Sequence, residues 1–471
     1  MLFNSSAFAV FLVVVLAGHW ALTSRRARNL FLLAASYLFY GWWDWRFLLL
    51  LIGTSTIDYV AGIAIHDSTD DRRRKTFLWL SCGANLATLV FFKYFNFFSE
   101  NLQTAFQGIG LHLSMPVLRV ILPVGVSFYT LQAMTYTIDV YRRVMPPCRD
   151  YPDFLLFVAY FPQLVAGPIS KARQLLPQLQ APRRFDAALA SRAIPYIVIG
   201  YFLKTVVADN MSGIVTASLA HVSAHSGLEL FVVVNCAQFE IYGDFAGYTY
   251  IAMGVSMLFG IRLPQNFRFP LLAQSIKEFW TRWHISLTAW FREYFYFSLV
   301  SRRTSATRIK VAIVFTFVVS GFWHGATWTC VIWGFLNGLG YFVPPLFPTQ
   351  NALGRLANRI VIRAASLVTW LFFRARTVPD AFLVIHRIAT NFWPAPATGE
   401  PGLAEIWHTY WWRVVLMAAV TLFEIVQRNA QDLPQLYRWP APTRYAFYAT
   451  VAVVYFYRGN FARIPFIYFQ F

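Results

Sequence analysis

Residues 311–334 read VAIVFTFVVSGFWHGATWTCVIWG, an apolar run with no charged residue and a single histidine, His324. A transmembrane helix needs about 20 such residues, so the run is long enough to cross a bilayer. An ionisable side chain at that depth costs several kcal/mol unless a cavity or a partner receives it. We therefore interpret His324 as a functional histidine that faces a protein-lined cavity. A neutral histidine satisfied by a neighbouring carbonyl is the alternative.

The apolar character extends over the whole chain. Of its 471 residues, 58% are hydrophobic and 13% are charged, whereas soluble domains carry about 25% charged residues. No internal repeat and no long polar linker interrupts the pattern. The composition therefore predicts an all-α, polytopic membrane protein with one integral membrane domain over residues 1–471.

The basic residues lie mostly in short loops between apolar runs, and the net charge is +19. Clusters at Arg25–Arg28, Arg72–Lys75 and Arg142–Arg143 follow successive apolar runs. This distribution is typical of the positive-inside rule and of contact with anionic membrane lipid. Because no nucleic-acid-binding motif accompanies the charge, we exclude nucleic acid as a partner. The first cluster should be cytoplasmic, which predicts that Met1 lies outside.

The alternation of apolar runs and loops predicts roughly eleven transmembrane helices. The clearest candidates are Ala7–Leu22, Leu30–Tyr40, Phe47–Ile65, Phe77–Phe98, Ile197–Val207, Leu230–Ile241, Tyr248–Phe259, Val311–Gly334, Ile362–Phe373, Trp412–Ile425 and Tyr445–Tyr457. A helix break is predicted within Leu122–Phe128, which contains a proline and a glycine.

The apolar segment Tyr160–Pro168, which includes Gln163, carries two prolines and a glycine. Non-helical backbone at membrane depth must be buried in protein or line a water-filled cavity. A re-entrant segment is therefore predicted, and an irregular surface loop is the alternative.

Residues 275–299 are too rich in ionisable groups to face lipid along their whole length. As one helix they place Trp280 and His284 on the same face, and they pair Glu278 with Arg282 at i,i+4 spacing. The functional interpretation is a helix that presents His284 to an internal cavity. An amphipathic helix lying on the membrane surface is the alternative.

Two further segments place polar groups inside apolar stretches. Asp244, close to Tyr242, is flanked by small residues that permit close helix approach. Asp244 could orient a histidine, bind a proton or cap a helix. Glu278 is the other candidate for orienting a histidine. Asn266 lies in the proline-bracketed loop Leu263–Pro270, which leads towards His284.

No metal or nucleotide motif is found in the sequence. The pair His221 and His225 has a metal-ligand spacing but lies in a polar loop, and there is no Walker loop or nucleophile elbow. We predict no metal and no tightly bound cofactor. The four cysteines are far apart and are predicted to be packing residues; they are Cys82, Cys148, Cys236 and Cys330.

Seven segments, taken in order, resemble the membrane-bound O-acyltransferases, and among them the bacterial alginate O-acetyltransferase membrane subunits. They are Phe92–Phe98, Leu122–Arg142, Tyr160–Leu179, Tyr242–Gly254, Pro264–Tyr296, Ser320–Trp333 and Pro465–Phe471. The family's essential histidine lies in a Trp-His-Gly motif, which matches His324. A second family motif, Trp-His-Ile-Ser-Leu, matches His284 and its neighbours. The alginate-type Pro-Leu-Gly-Gly-Asn-Arg loop is replaced here by Phe297–Arg303, which leaves the acceptor open.

The resemblance implies a ring of helices around a central tunnel, in a bacterial inner membrane, with His324 and His284 as catalytic residues. It implies acetyl-CoA as the cytoplasmic donor. The implied partners are a periplasmic SGNH-hydrolase-like acetyltransferase and an exopolysaccharide or cell-wall glycan acceptor. The residues that we expect to line the substrate site or tunnel are Trp323, Trp283, Trp280, Arg282, Glu278, Tyr242, Asp244, Asn266 and Gln163.

The chemistry of these residues suits acyl transfer, because a hydroxyl that attacks a thioester needs a base and an imidazole with a pKa near 6.5 can act as one. We therefore predict an O-acyltransferase, with acetyl as the acyl group. Two alternatives stay open. One is a D-alanyl transferase of the teichoic-acid type, which would need an acyl carrier protein as donor. The other is a proton-coupled transporter that uses His324 and Asp244.

Overall fold

The computed structural model describes residues 1–396, 399–428, 435–462, 464, 466 and 467; these form helices and loops and contain no β-strand. The all-α prediction is confirmed. By its contacts the chain divides into two compact units, Met1–Ile194 with Ala252–Pro264 and Pro195–Ile251 with Gln265–Phe471. The single membrane domain stays a prediction. Most of the C-terminal segment that resembles the family, 465–471, lies outside the described residues.

The first unit contains, among its described residues, seven helices of nine or more residues that lie wholly within it, and several of them are started by side-chain caps. Ser5, Ser24, Asp70 and Asp150 each accept a hydrogen bond from a backbone N–H of the first helical turn, which satisfies a group that the helix itself leaves unpaired. The helices are α1 (Ser6–Ala21), α2 (Arg25–Gly41), α3 (Arg46–Asp67), α4 (Asp71–Gly108), α5 (Val126–Tyr141), α6 (Tyr151–Ala159) and α7 (Ala172–Gln180).

The segment predicted to be re-entrant is buried and mostly irregular. Between α6 and α7 only Phe161–Leu164 forms a helical turn, and every residue from Tyr160 to Ser170 is buried. The surface-loop alternative is therefore wrong. The predicted break before α5 falls at Gly125, whose φ is +76° and where an added Cβ would lie 2.7 Å from the carbonyl oxygen of Leu164. Only glycine fits both conditions.

The second unit contains most of two long helices and the whole of the remaining ones. Within the described residues they are α8 (Ala187–Ala220), α9 (Gly227–Leu258), α10 (Ile276–Phe279), α11 (Ile285–Trp290), α12 (Ala306–His324), α13 (Trp328–Gly340), α14 (Ala352–Arg374), α15 (Val378–Thr390), α16 (Leu403–Gln427) and α17 (Ala441–Arg458). A π-helical turn, Phe291–Tyr296, continues α11, and 3-10 turns lie at Val222–Ala224, Pro270–Leu272 and Gln435–Arg438.

Six of the helices in the described part of the chain are long and apolar enough to cross a membrane. They are α3, α4, α8, α12, α14 and α16. The helix α1 is apolar but shorter. The count of about eleven transmembrane helices stays a prediction.

The predicted bounds of the helices are wrong in two segments, 230–259 and 275–299. Leu230–Ile241 and Tyr248–Phe259 belong to one continuous helix, α9, because the residues between them include no helix breaker strong enough to interrupt it. Residues 275–299, predicted as one helix, are interrupted between α10 and α11. His284 lies at this interruption, so the helical face that it would have shared with Trp280 does not form.

The run 311–334 is also not a single span, because it folds into the helical hairpin α12–α13 with His324 at the turn. Three glycines, Gly321, Gly334 and Gly338, let the two helices approach closely. An added Cβ at Gly321 would overlap the carbonyl oxygen of Cys330, one at Gly334 would overlap that of Phe317, and one at Gly338 would lie 3.0 Å from the Cα of Val314. Small residues at helix interfaces allow such backbone contact. The hairpin thereby fixes the end of α12 that carries His324.

We expect Gly321→Ala to destabilise the protein by about 1–3 kcal/mol, the usual cost of overpacking, because the backbone of α13 cannot yield without separating the helices. Gly213→Ala, in α8, is the matched control: an added Cβ there meets nothing within 4 Å. The control should be neutral or stabilising by up to about 1 kcal/mol. Thermal unfolding in detergent compares the two variants, and equal unfolding temperatures would contradict the close packing.

Candidate active site

The centre of the candidate site is a pair of buried histidines from two different elements. His324 ends α12 and is 2% exposed, and His284 precedes α11 and is 0% exposed. Their ring centroids are 6.2 Å apart. The structure thus brings together the two residues that the sequence predicted to be catalytic.

The backbone at His284 is strained. Its φ of 43° and ψ of 51° are left-handed, a conformation that non-glycine residues adopt only when their surroundings enforce it. On one side the amide of Ile285 donates to the carbonyl oxygen of Asn266 at 2.9 Å. On the other side the His284 carbonyl accepts the first hydrogen bond of α11, from Thr288 at 3.0 Å.

Asn266 determines which nitrogen of His284 carries the proton. Its Oδ1 accepts from the backbone N–H of Ser286 at 3.2 Å and from the Ser286 hydroxyl at 2.8 Å, and it lies 3.0 Å from His284 Nδ1. A backbone N–H only donates, so this atom of Asn266 is the oxygen, and Nδ1 must donate to it. The neutral ring then has its lone pair on Nε2, where it can act as a base.

Burial also lowers the pKa of His284 well below its ordinary value of 6.5, because a charged imidazole is poorly solvated there. Burial therefore favours the neutral imidazole, and the hydrogen bond to Asn266 selects one tautomer of it.

Aromatic rings surround His324. Its ring centroid lies 4.8 Å from that of Trp323, 5.1 Å from that of Trp333 and 5.5 Å from that of Phe373. The contacts with Trp333 and Phe373 are edge-on, which is a favoured geometry for aromatic pairs. Such a cage limits the access of water to the imidazole.

The other predicted tryptophans support this cage. Trp280 packs 5.6 Å from Trp333 and donates from its indole Nε1 to Asn337 Oδ1 at 3.2 Å. Trp283 stacks on Phe279 at 5.5 Å and packs against Trp370 at 4.8 Å. The structure therefore groups Trp280, Trp283 and Trp323 around the histidine pair.

Glu278 and Arg282 form the predicted i,i+4 ion pair at 2.7 Å, with side chains 29% and 26% exposed. Glu278 Oε2 also accepts from the amide of Gln274 at 2.8 Å. The pair thus supports the turn around α10. The partner that orients His284 is Asn266, whereas the sequence suggested Asp244 or Glu278.

Asp244 and Tyr242 belong to two other buried networks. Asp244 Oδ1 pairs with Lys204 Nζ at 2.8 Å. The Tyr242 hydroxyl donates to Glu424 Oε1 at 2.6 Å, and the amide of Leu271 donates to Glu424 Oε2 at 2.9 Å. Sequence reasoning missed Lys204 and Glu424, although each is a charged residue within an otherwise apolar run, which is the signal that pointed to Asp244.

Gln163 belongs to the first unit, where it is buried and its amide donates to the carbonyl oxygen of Phe157 at 3.3 Å. The described part of the chain has no cluster of three or more potential metal ligands, and His225 pairs with Glu229 at 2.9 Å. All four cysteines are buried and none of them forms a disulfide, as predicted for packing residues.

The fold and the buried histidine pair indicate the class of protein: a helical membrane protein in which aromatic rings enclose two imidazoles. A family model described as the membrane-bound O-acyltransferase family matches residues 76–350, which include Asn266, His284 and His324. The probable alginate O-acetylase of Pseudomonas aeruginosa is 33% identical over 387 residues, which cover 81% of this chain and 74% of that protein.

Two further relatives modify cell-wall polymers according to their names. The peptidoglycan O-acetyltransferase of Helicobacter pylori is 30% identical over 423 residues, 82% of this chain and 79% of that protein. The teichoic acid D-alanyltransferase of Streptococcus thermophilus is 30% identical over 291 residues, 57% of this chain and 69% of that protein. The chain belongs to the membrane-bound O-acyltransferase family. It is a multi-pass membrane enzyme, an O-acyltransferase, and this membership favours catalysis over proton-coupled transport.

Proposed function

We propose that this enzyme moves an acetyl group from cytoplasmic acetyl-CoA to a hydroxyl on an extracytoplasmic polysaccharide, or on a partner transferase that completes the transfer. The observation that carries the proposal is the pair of buried imidazoles, His284 and His324, one of them held in a single tautomer by Asn266. Two relatives of comparable coverage are O-acetylating proteins by name. The proposal includes the bacterial inner membrane as location, an outside N-terminus and a periplasmic SGNH-hydrolase-like partner.

The short distance between the two rings supports a role in proton transfer during the reaction. In the proposed step the acceptor oxygen attacks the thioester carbonyl carbon, a C–O bond forms and the C–S bond breaks. His324 takes the hydroxyl proton and returns it to the departing thiolate, so that protons and charge balance. Hydrogen bonds of about 2.7–3.0 Å allow one hydroxyl to contact both rings across the 6.2 Å between their centroids, and His284 would orient it through Nε2.

D-alanyl transfer is the second candidate, and the Streptococcus thermophilus relative is the observation that favours it. Chemically the two reactions share the same step, since a thioester carbonyl is attacked by a hydroxyl in both. They differ in the donor, which would be a D-alanyl-charged carrier protein rather than acetyl-CoA. The geometry of the histidine pair suits either donor.

The donor can be identified with the purified protein in nanodiscs. Acetyl-labelled CoA and a labelled D-alanyl-charged carrier protein are supplied in parallel, with cell-wall and exopolysaccharide fragments as acceptors. We expect label to pass from acetyl-CoA to the acceptor. Transfer from the charged carrier protein alone would replace the acetyl proposal by D-alanylation, and substrate passage across a sealed bilayer without covalent transfer would contradict both.

A further inference from the structure

A buried ion cluster lies on α8 and α9, outside the histidine pair. Lys204 Nζ is 2.7 Å from Asp209 Oδ1 and 2.8 Å from Asp244 Oδ1, and all three side chains are almost fully buried. Buried charges are costly to keep and are stable only when they are well paired. In some proteins such clusters are retained because they specify one arrangement of the chain.

The cluster binds the segment that follows α17. Asp244 Oδ2 accepts from the amide of Ile467 at 2.6 Å, and Lys204 Nζ donates to the carbonyl oxygen of Ile464 at 3.4 Å. Earlier in the segment the Asn460 side chain donates to the carbonyl oxygen of Asp209 at 3.1 Å. The described residues of 459–467, which we call the strap, are thus attached at three points.

The strap reaches the site through one ring. Phe466 is fully buried, and its centroid lies 4.8 Å from that of Tyr248 and 5.9 Å from that of Phe245. Phe245 in turn packs edge-on against His284 at 4.5 Å. Asp244, Phe245 and Tyr248 all lie on one stretch of α9, so the same stretch holds the strap and contacts the catalytic ring.

We propose that the strap positions His284 for acyl transfer, with Phe466 and Asp244 as positioning residues. This inference rests on the proposed function, because it assigns His284 a part in the reaction. Asn266 fixes the hydrogen bond of His284 at Nδ1, and Phe245, supported by Phe466, restrains the ring from another side. A displacement of about 1 Å in a catalytic group can cost 10²-fold in rate. Loss of the support from Phe466 should therefore lower the turnover rate, although Phe466 itself touches no reacting atom.

The test is steady-state kinetics in nanodiscs with the donor that the wild type uses. We expect Phe466→Ala to lower kcat about 10- to 100-fold with the donor KM within about 2-fold of wild type. Phe466→Leu, which keeps an apolar side chain in the same place, should recover most of the rate. Asp244→Leu should resemble Phe466→Ala. Asp244→Asn should lose less, because its side-chain oxygen still accepts from the amide of Ile467.

The pH profile separates positioning from a general loss of folded protein. In Phe466→Ala water gains access to His284, which should raise the pKa of this ring towards 6.5. Because the protonated ring cannot accept a hydrogen bond or a proton, the acid limb of kcat then moves to higher pH. His324 is a titratable group that faces His284, with 6.2 Å between the ring centroids. Phe466→Ala leaves the contacts of His324 with Trp333 and Phe373 in place. A purely structural defect would scale the profile without moving the limb.

The matched control is Glu400→Gln. Glu400 is another buried carboxylate of the second unit and pairs with Arg387, in a loop that has no described contact with the histidine pair. The Glu400→Gln variant should have the wild-type kcat and the wild-type acid limb of the pH profile. A wild type without transfer from either donor would refute the proposed function. An active wild type together with a Phe466→Ala variant of unchanged kcat, or with an unshifted acid limb, would overturn the strap proposal alone.

Discussion

Replacing His324 by alanine is expected to lower acyl transfer by about 10²- to 10⁴-fold, the range for loss of a positioned acid–base group. The imidazole is held at the α12–α13 turn by Trp323, Trp333 and Phe373. Since close backbone packing at the glycines of α12 and α13 also holds the hairpin together, the variant should still reach the membrane. The measurement is the O-acetyl content of the cellular glycan, normalised to the amount of the enzyme in the membrane.

Two companion variants make the result interpretable. His324→Gln retains a polar side chain of similar length but no base, so it should be as inactive as His324→Ala. His408→Ala removes an exposed histidine of α16 and should be fully active. Glycan acetylation at the wild-type level in His324→Ala would contradict the assignment of this residue.

Replacing His284 by alanine is expected to lower transfer by about 10²-fold or more, because the second imidazole is lost. Asn266→Ala should cost about 10- to 100-fold, the range found when the partner that orients a metal-binding histidine is removed. Without Asn266 Oδ1, the hydrogen bond that keeps the proton on Nδ1 is lost. Initial rates of transfer from labelled donor, at saturating acceptor, measure both effects.

The losses of transfer rate caused by His284→Ala and Asn266→Ala should not be additive. If Asn266 acts through His284, the double variant should be no slower than His284→Ala alone, since residues that work as a unit are strongly non-additive. Gln265→Ala, which changes the neighbour of Asn266 in the same loop, serves as the control and should be near wild type. Fully additive losses would show that Asn266 acts independently of His284.

His324 could be identified from the sequence because an ionisable side chain within an apolar run is costly and therefore informative. His284 lies in a segment rich in charged residues and is identified from its helical spacing and from the family motif that it matches. The argument used for His324, applied to Lys204 and Glu424, would have predicted that they are buried. The argument from apolar runs does not give the partner of each buried charge. Asp244 looked suited to orienting a histidine, yet it pairs with Lys204, which lies 40 positions earlier in the chain. Which charges meet is decided by tertiary packing, which periodicity does not report.

The helix breaks were harder to predict, and for two different reasons. At 325–327 a local signal exists, because Thr327 caps α13 by accepting from the amide of Cys330; the long apolar run concealed it. At His284 the sequence has no helix breaker, and the break depends on the loop residue Asn266, which binds the backbone of Ile285 and Ser286. A break imposed by a residue so far away in sequence cannot be found from local pattern.

The central claim, acyl transfer from a thioester at the His324–His284 pair, is tested most directly by one single-turnover experiment. Wild type and His324→Gln, each in nanodiscs, are mixed with acetyl-labelled CoA and acceptor, and donor binding and the appearance of labelled acceptor are both followed. We predict equal donor binding and transfer by the wild type only. A His324→Gln enzyme that binds the donor and transfers label at the wild-type rate would contradict the account.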